Sequence, residues 1–216
     1  MAEAMCWGLV QRSALDGAHP AWFHDMPLAL VDAARGDPAG RRLLALGLVD
    51  AAPQIFAGFP AVVPAALAAS EWMHTAPTLL DERALDLGAL AYAPLLRLRI
   101  TRGEVVRLRS VLGAERYARV LAETDVDGTP TAAAALFDAA FESDQALRRV
   151  LLEQGRREWA AHARDVHPVA LEWLRLCHAP GAIEAPDQGW LAATTTSRVL
   201  ASTLQENGDA RESRHH

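Results

Sequence analysis

The chain has 216 residues, of which 51% are hydrophobic and 22% charged, and its formal net charge at pH 7 is −6. This composition is typical of a globular protein with one large or two small domains, and the negative charge disfavours wholesale binding to nucleic-acid phosphates. The sequence contains arginine but no lysine, which excludes mechanisms that need a Schiff-base lysine or the lysine of a phosphate-binding loop.

Alanine and leucine, which favour helices, dominate the sequence, whereas Val, Ile and Tyr are scarce. No segment alternates in the manner of a strand, and we find no GxGxxG sequence, Walker loop or internal repeat. The sequence therefore predicts an all-α fold, an irregular bundle of about eight to ten helices with no substantial sheet.

Helix start signals recur along the chain. Asp37 precedes Pro38 as an N-cap before a first-turn proline, Thr101 and Glu104 form a capping box, and Ser143 or Asp144 caps a long helix. The predicted helices cover 27–34, 37–48, 64–74, 78–98 with a kink or end at Pro94, 101–112, 114–123, 143–163, 168–179 and 190–205.

The domain organisation follows from these elements. We expect an irregular N-terminal arm over residues 1–25, a single helical domain over 26–206 that would subdivide, if at all, near the turn at 124–131, and a disordered tail over 207–216. Neither a signal peptide nor a membrane-spanning run is recognisable, and Cys6 and Cys177 form no disulfide framework. A reduced, cytoplasmic location without direct membrane insertion is expected.

A basic run between residues 97 and 119 is the main candidate binding feature. Seven arginines stand there against two glutamates, a net charge of +5, which suits either a solvated helical face or a docking face for an acidic partner. The arginines are Arg97, Arg99, Arg102, Arg107, Arg109, Arg116 and Arg119.

The sequence of residues 151–180 predicts two helices, and the residues on their faces indicate close packing. Gly155 and Trp159 lie four residues apart on one helical face, so Gly155 predicts a notch for close helix packing and Trp159 a core position. Pro168 starts the second helix. The residues assigned to structural packing are Gly155, Trp159, Pro168, Trp173 and Trp190.

This tract resembles the SctK (YscK-type) family, the accessory proteins of the type III secretion sorting platform. The residues that match the family pattern occur in the same order and without an alignment gap; they are Gly155, Trp159, Pro168, Arg175, Leu176 and Pro180. Trp190-Leu191 resembles a later Trp-Leu pair of the family. A second tract, 87–121, resembles the family's central segment, with Leu87-Gly88 opening a helix and Leu108, Leu112, Tyr117 and Leu121 at similar places. The resemblance covers about half the chain, and residues 1–86 lie outside it.

The resemblance implies a non-enzymatic adaptor without cofactors. It would be peripheral to the inner membrane at the secretion basal body. Its partners would be the cytoplasmic domain of the SctD-type inner-membrane ring protein and the SctQ-type pod protein, and through the latter the ATPase complex. Nucleic acid is not an expected partner. The alternative is a helical DNA-binding regulator that reads DNA through residues 101–123, where Val111 to Ala114 loosely resemble the turn of a helix-turn-helix.

Two catalytic readings are disfavoured by spacing. His162 and His167 are five residues apart, whereas metal ligands on a helix are usually three or four apart, and Asp165, Cys177 and His178 add no better pattern. His19, His24 and Asp25 could belong to a hydrolase active site, but the sequence has no G-x-S-x-G turn to supply the nucleophilic serine. Asp81 and Glu82 are interpreted as first-turn and surface charges. We therefore predict no catalytic, cofactor-binding or metal residues.

Overall fold

The structure is a computed structural model that describes residues 7–24, 26–57, 63–123, 130–184 and 186–201. These residues contain no strand, which confirms the predicted all-α fold. Two short 3-10 helices cover Pro20–Phe23 and Glu71–His74. The α-helices are α1 Trp7–Gly17, α2 Leu28–Gly36, α3 Pro38–Gly47, α4 Pro53–Phe56, α5 Ala65–Ala68, α6 Pro77–Ala91, α7 Ala93–Arg97, α8 Arg102–Leu112, α9 Ala114–Ala122, α10 Thr131–Ala140, α11 Asp144–Val166, α12 Pro168–Leu176 and α13, described over 193–201.

The helix caps predicted from the sequence form hydrogen bonds in the structure. The side chain of Asp37 accepts a hydrogen bond from Gly40 N at 2.7 Å, and Thr101 and Glu104 form a complete capping box at α8. Ser143 Oγ accepts from Ala146 N at 3.1 Å, so Ser143 caps α11. Pro94 lies in the first turn of α7, where the break from α6 leaves its missing N–H without consequence.

Contacts between Cα atoms group the chain into two compact units, where the sequence predicted one domain. Unit 1 comprises residues 1–77 and 163–185, and unit 2 comprises 78–162 and 186–216. Residues 124–129 of the predicted subdivision lie outside the described residues, and the described residues on both sides belong to unit 2. The chain does not divide at this turn because the residues on its two sides share a core: Leu108 and Phe137 lie in one hydrophobic cluster.

The N-terminal arm predicted as irregular is helical over residues 7–17. Helix α1 buries Trp7, Val10 and Ala14, whose spacing of three and four residues places them on one face. Ser13 Oγ donates to Met73 O at 2.7 Å and accepts from Trp173 Nε1 at 3.1 Å. The expectation of an irregular arm was therefore wrong for this part, since the apolar periodicity of α1 was present in the sequence.

The core of unit 1 forms around α12. Trp173 is buried and meets the ring of Trp72 edge-on, with 5.8 Å between the centroids. Glu172 accepts from Gln54 N at 3.2 Å and Ile55 N at 3.1 Å, so its carboxylate satisfies the start of α4, a helix that lies between the predicted helices at 37–48 and 64–74. Burial raises the pKa of the Glu172 carboxyl, although these two hydrogen bonds oppose the shift.

Cys177 follows α12 and is buried, and burial raises the pKa of its thiol to about 12. Because the thiolate is the reactive species, we expect Cys177 to resist alkylation by iodoacetamide at pH 8 in the folded protein and to react readily in urea. Peptide mass spectrometry reads Cys177 separately from Cys6. Rapid native alkylation of Cys177 would contradict its buried position.

The core of unit 2 is built where α6 crosses α11. Gly88 and Gly155 face each other there: a Cβ built on Gly88 would overlap Leu151 O and lie 3.1 Å from Gly155 N. A Cβ on Gly155 would overlap Ala84 O and lie 2.8 Å from Gly88 N. The two helices therefore touch through their backbones. The predicted notch at Gly155 is present, but Gly88 lies inside α6 and does not open a helix.

Candidate partner-binding surface

The side chain of Arg99 binds other residues of unit 2. Its guanidinium pairs with Glu104 at 3.2 Å and with Asp138. It also lies over the rings of Phe137 and Phe141, 5.7 Å and 5.0 Å from their centroids. A guanidinium held by two carboxylates and two aromatic faces joins the start of α8 to α10 and is not available to a partner.

Three further arginines of the run also have intramolecular partners. Arg107 donates to Phe141 O and pairs with Asp144 at 3.1 Å. Arg97 donates to Val120 O at 3.3 Å, near the C-terminus of α9, where a cation is favoured. Arg119 pairs with Glu115, one turn earlier in α9, at 3.5 Å.

Arg116 forms the most enclosed ion pairs of the basic run. Its Nε lies 2.5 Å from Asp86 Oδ1 and its Nη2 lies 2.9 Å from Glu82 Oε2, and Arg148 pairs with the other oxygen of Glu82 at 2.8 Å. Burial alone would raise the pKa of Glu82, but hydrogen bonds from Arg148 and Arg116 hold it below its ordinary value. Burial would lower the pKa of Arg116, but Asp86 and Glu82 raise it. Glu82 is thus a structural partner, not merely a surface charge.

A cleft of about 530 Å³ lies beside this network. Its charged lining residues are evenly divided between the two signs, with three acidic and three basic side chains, so the cleft has no net charge with which to select a charged ligand. These residues are Glu82, Asp86, Glu115, Arg83, Arg116 and Arg119.

We expect Arg116→Leu to lower the free energy of unfolding by more at pH 7 than at about pH 3. The folded-state pKa of Glu82 lies below the ordinary value of 4.5. The stabilisation is therefore complete above that value and is lost as the pH falls through the folded-state pKa. Urea titrations at both pH values measure the difference. Arg102→Leu, which removes an exposed arginine that has no ion pair with any described residue, is the control. A penalty for Arg116→Leu that does not change with pH would contradict the network.

Arg102 and Arg109 differ from the other five arginines. Both are exposed, and within the described parts of the chain the side chain of neither makes a hydrogen bond or an ion pair. They lie seven residues apart on α8 with Val106 between them, so all three share the outward face of the helix. Val106 is 61% exposed. This is the part of the predicted basic face that the fold leaves available.

The residues that carry the family resemblance are divided between the two units: Gly155, Trp159 and Trp190-Leu191 lie in unit 2, and Pro168, Arg175, Leu176 and Pro180 lie in unit 1. Glu158, between Gly155 and Trp159, is 1% exposed, and its carboxylate accepts from Gln154 Nε2 at 2.6 Å, Trp190 N at 2.9 Å and Leu191 N at 3.0 Å. Gly189 lies close to this carboxylate, because a Cβ there would lie 2.6 Å from Glu158 Oε2 and would push that oxygen aside. Glu158 therefore fixes the Trp190-Leu191 segment onto α11.

The residues predicted to serve packing divide into three groups. Gly155, Trp159 and Trp173 are buried, as expected. Trp190 is half-buried and meets Tyr92 edge-on at 5.4 Å. Pro168 is exposed, so its role is only to begin α12, where His167 Nδ1 accepts from Val169 N at 3.2 Å. Pro168 is therefore not a core residue.

Two of the described histidines, His19 and His178, lie within hydrogen-bond distance of backbone groups. His19 Nδ1 accepts from Ala21 N at 3.2 Å at the start of a 3-10 helix, and His178 Nδ1 lies 3.0 Å from Leu174 O. Among the described residues, no group of three or more His, Cys, Asp or Glu side chains is placed to hold a metal ion. Cys6 and Asp25 lie outside the described residues.

Sequence reasoning missed the acidic partners of the arginines. Glu82 and Asp86 precede Arg116 by 34 and 30 residues, and Asp138 follows Arg99 by 39, so no local spacing indicates these pairs. Glu158 had a detectable signal, because a carboxylate lies between the two apolar-face residues Gly155 and Trp159. Exposed apolar side chains on α2 and α3 were also missed; they are Leu28, Leu30, Leu43 and Leu46.

Comparisons of the chain with protein-family models, with curated proteins and with solved structures find no match. None of the described helices is long and apolar enough to cross a membrane.

Proposed function

We infer that the protein is a non-enzymatic adaptor of a type III secretion sorting platform. In this proposal it links the cytoplasmic domain of an SctD-type inner-membrane ring protein to an SctQ-type pod protein and, through the latter, to the ATPase complex. It works by protein–protein contacts on the cytosolic side of the basal body, and it needs no cofactor.

One observation carries the proposal: in unit 2, the residues that resemble the SctK family meet on α11. Gly155 accepts the backbone of α6 at Gly88, and Glu158 binds the backbone of Trp190 and Leu191. Trp159 is fully buried on the same helix. A pattern of Gly, Trp and Leu that serves one packing arrangement is expected of a family's structural signature and supports the resemblance.

The surfaces of the two units favour an adaptor over the DNA-binding alternative. Non-specific DNA binding needs many cations that are free to contact phosphates, whereas five of the seven arginines in the basic run bind groups of this chain. Unit 1 exposes Leu43 and Leu46 on one face of α3, and unit 2 exposes Val106 on α8. Exposed apolar groups on both units suit a protein that contacts two partners.

Affinity purification from the host, followed by mass spectrometry, tests the proposal. A tagged full-length chain should recover the SctD-type ring protein and the SctQ-type pod protein, and a tag-only strain is the control. A parallel titration with duplex DNA at low and high salt should show no salt-dependent binding. Recovery of neither protein, together with salt-dependent DNA binding, would favour the regulator.

A further inference from the structure

The outward face of α8 and the turn before it form a surface of mixed apolar and basic character. We call it the α8 surface and define it by Leu98, Ile100, Arg102, Val106 and Arg109. Leu98, Ile100 and Val106 are 72%, 81% and 61% exposed, and each is apolar. The helix itself is well anchored, with buried Leu108, Val111 and Leu112 on its opposite side.

The charge on this surface has no counter-charge within the described residues. Glu104, on the same helix, is bound to Thr101 and Arg99, and Asp144 is bound to Arg107 and Ser110. Arg102 and Arg109 therefore retain their charge toward solvent. Two guanidinium groups without a partner among the described residues flank an exposed valine, which gives a basic, apolar, basic pattern along one helix.

This pattern determines the chemistry of the occupant. Carboxylates are the natural partners of guanidinium groups, and an apolar side chain is needed to cover Val106. Arg102 and Arg109 are seven residues apart, which is two turns or about 10.5 Å along α8. Carboxylates seven residues apart on a second helix have the same spacing, with an apolar residue between them on the same face.

We propose that the α8 surface binds an acidic amphipathic helix of a partner protein, with carboxylates on Arg102 and Arg109 and apolar side chains over Val106 and Ile100. Nucleic acid fits less well, because a phosphate backbone offers nothing to cover three exposed apolar side chains. The inference deepens the proposed function and rests on it for the identity of the partner, but not for the chemistry of the surface.

Binding of the full-length chain to the purified SctD-type cytoplasmic domain and SctQ-type pod protein tests the partner. Arg102→Glu/Arg109→Glu should weaken binding to one of them by about tenfold or more, chiefly through slower association, with a larger effect at low salt. Val106→Ser should weaken the same interaction through faster dissociation. The matched control is Arg12→Glu/Arg149→Glu, which makes the same charge change at two other exposed helical arginines and should leave both affinities unchanged.

A synthetic helical peptide with a leucine stripe flanked by glutamates tests the surface independently of any partner. It should bind wild type, lose affinity for Arg102→Glu/Arg109→Glu and protect the amides of residues 98–110 from hydrogen exchange, whereas a scrambled peptide should do neither. Failure of the peptide to bind, or equal binding to both double variants, overturns the proposed surface. If the peptide binds as expected but neither secretion protein does, the α8 surface stands and the adaptor function fails.

Discussion

Gly155→Ala should destabilise the protein by about 3 kcal/mol, the upper part of the range for overpacking a core. The added methyl would overlap Ala84 O and crowd Gly88 N, and both are backbone atoms of α6 that cannot rotate away. The helices would have to separate, and the surrounding core would lose contacts along the crossing. A urea titration of the purified variant, followed by circular dichroism at 222 nm, measures the loss.

Gly103→Ala is the matched control for this prediction. Gly103 lies in the first turn of α8, and a Cβ built there meets no atom within 4 Å. The same chemical change should therefore be neutral or stabilising by up to about 1 kcal/mol, because alanine favours the helix. Equal effects of the two substitutions would show that α6 and α11 do not touch at Gly155.

Trp159→Ala should lower the free energy of unfolding by about 3–5 kcal/mol, the usual cost of emptying a buried aromatic site. Trp159 is among the largest side chains of the chain and is 0% exposed. Such a loss is a large part of the 5–15 kcal/mol that holds a typical domain together, so the variant should melt well below wild type. Differential scanning calorimetry measures the change.

Trp190→Ala provides a graded comparison, because Trp190 is half-buried and meets Tyr92 only edge-on. Its loss should cost clearly less than the loss of Trp159, since less apolar surface returns to water. If Trp159→Ala melts like wild type but loses a binding partner, then Trp159 is an interface residue, and our placement of it in the core is wrong.

Local signals in the sequence predicted the helices that begin at caps. These helix starts depend only on residues within a few positions of one another, so the local sequence is enough to predict them. The examples are Asp37, Thr101 with Glu104, and Pro168. Helix α4 was missed for the converse reason. Its start is satisfied by Glu172, more than a hundred residues away, which no local pattern can reveal.

The candidate surface was predictable only in outline. The run of arginines marks the right segment, but which of them remain available depends on carboxylates that the fold brings from α6, α10 and α11. Arg116 illustrates the difference: by sequence it is one of seven similar arginines, and in the structure it is a half-buried member of an ion-pair network. The α8 surface can therefore be identified only after the arginines that form ion pairs within the chain have been set aside.

Reconstitution of a three-component complex tests the adaptor function most directly. The full-length chain, the purified SctD-type cytoplasmic domain and the SctQ-type pod protein should elute together from size-exclusion chromatography, with a mass by light scattering that accounts for all three. Without the chain, the ring domain and the pod protein should elute separately. Elution of the chain apart from both proteins, or an unchanged association of the two when it is omitted, would contradict the account.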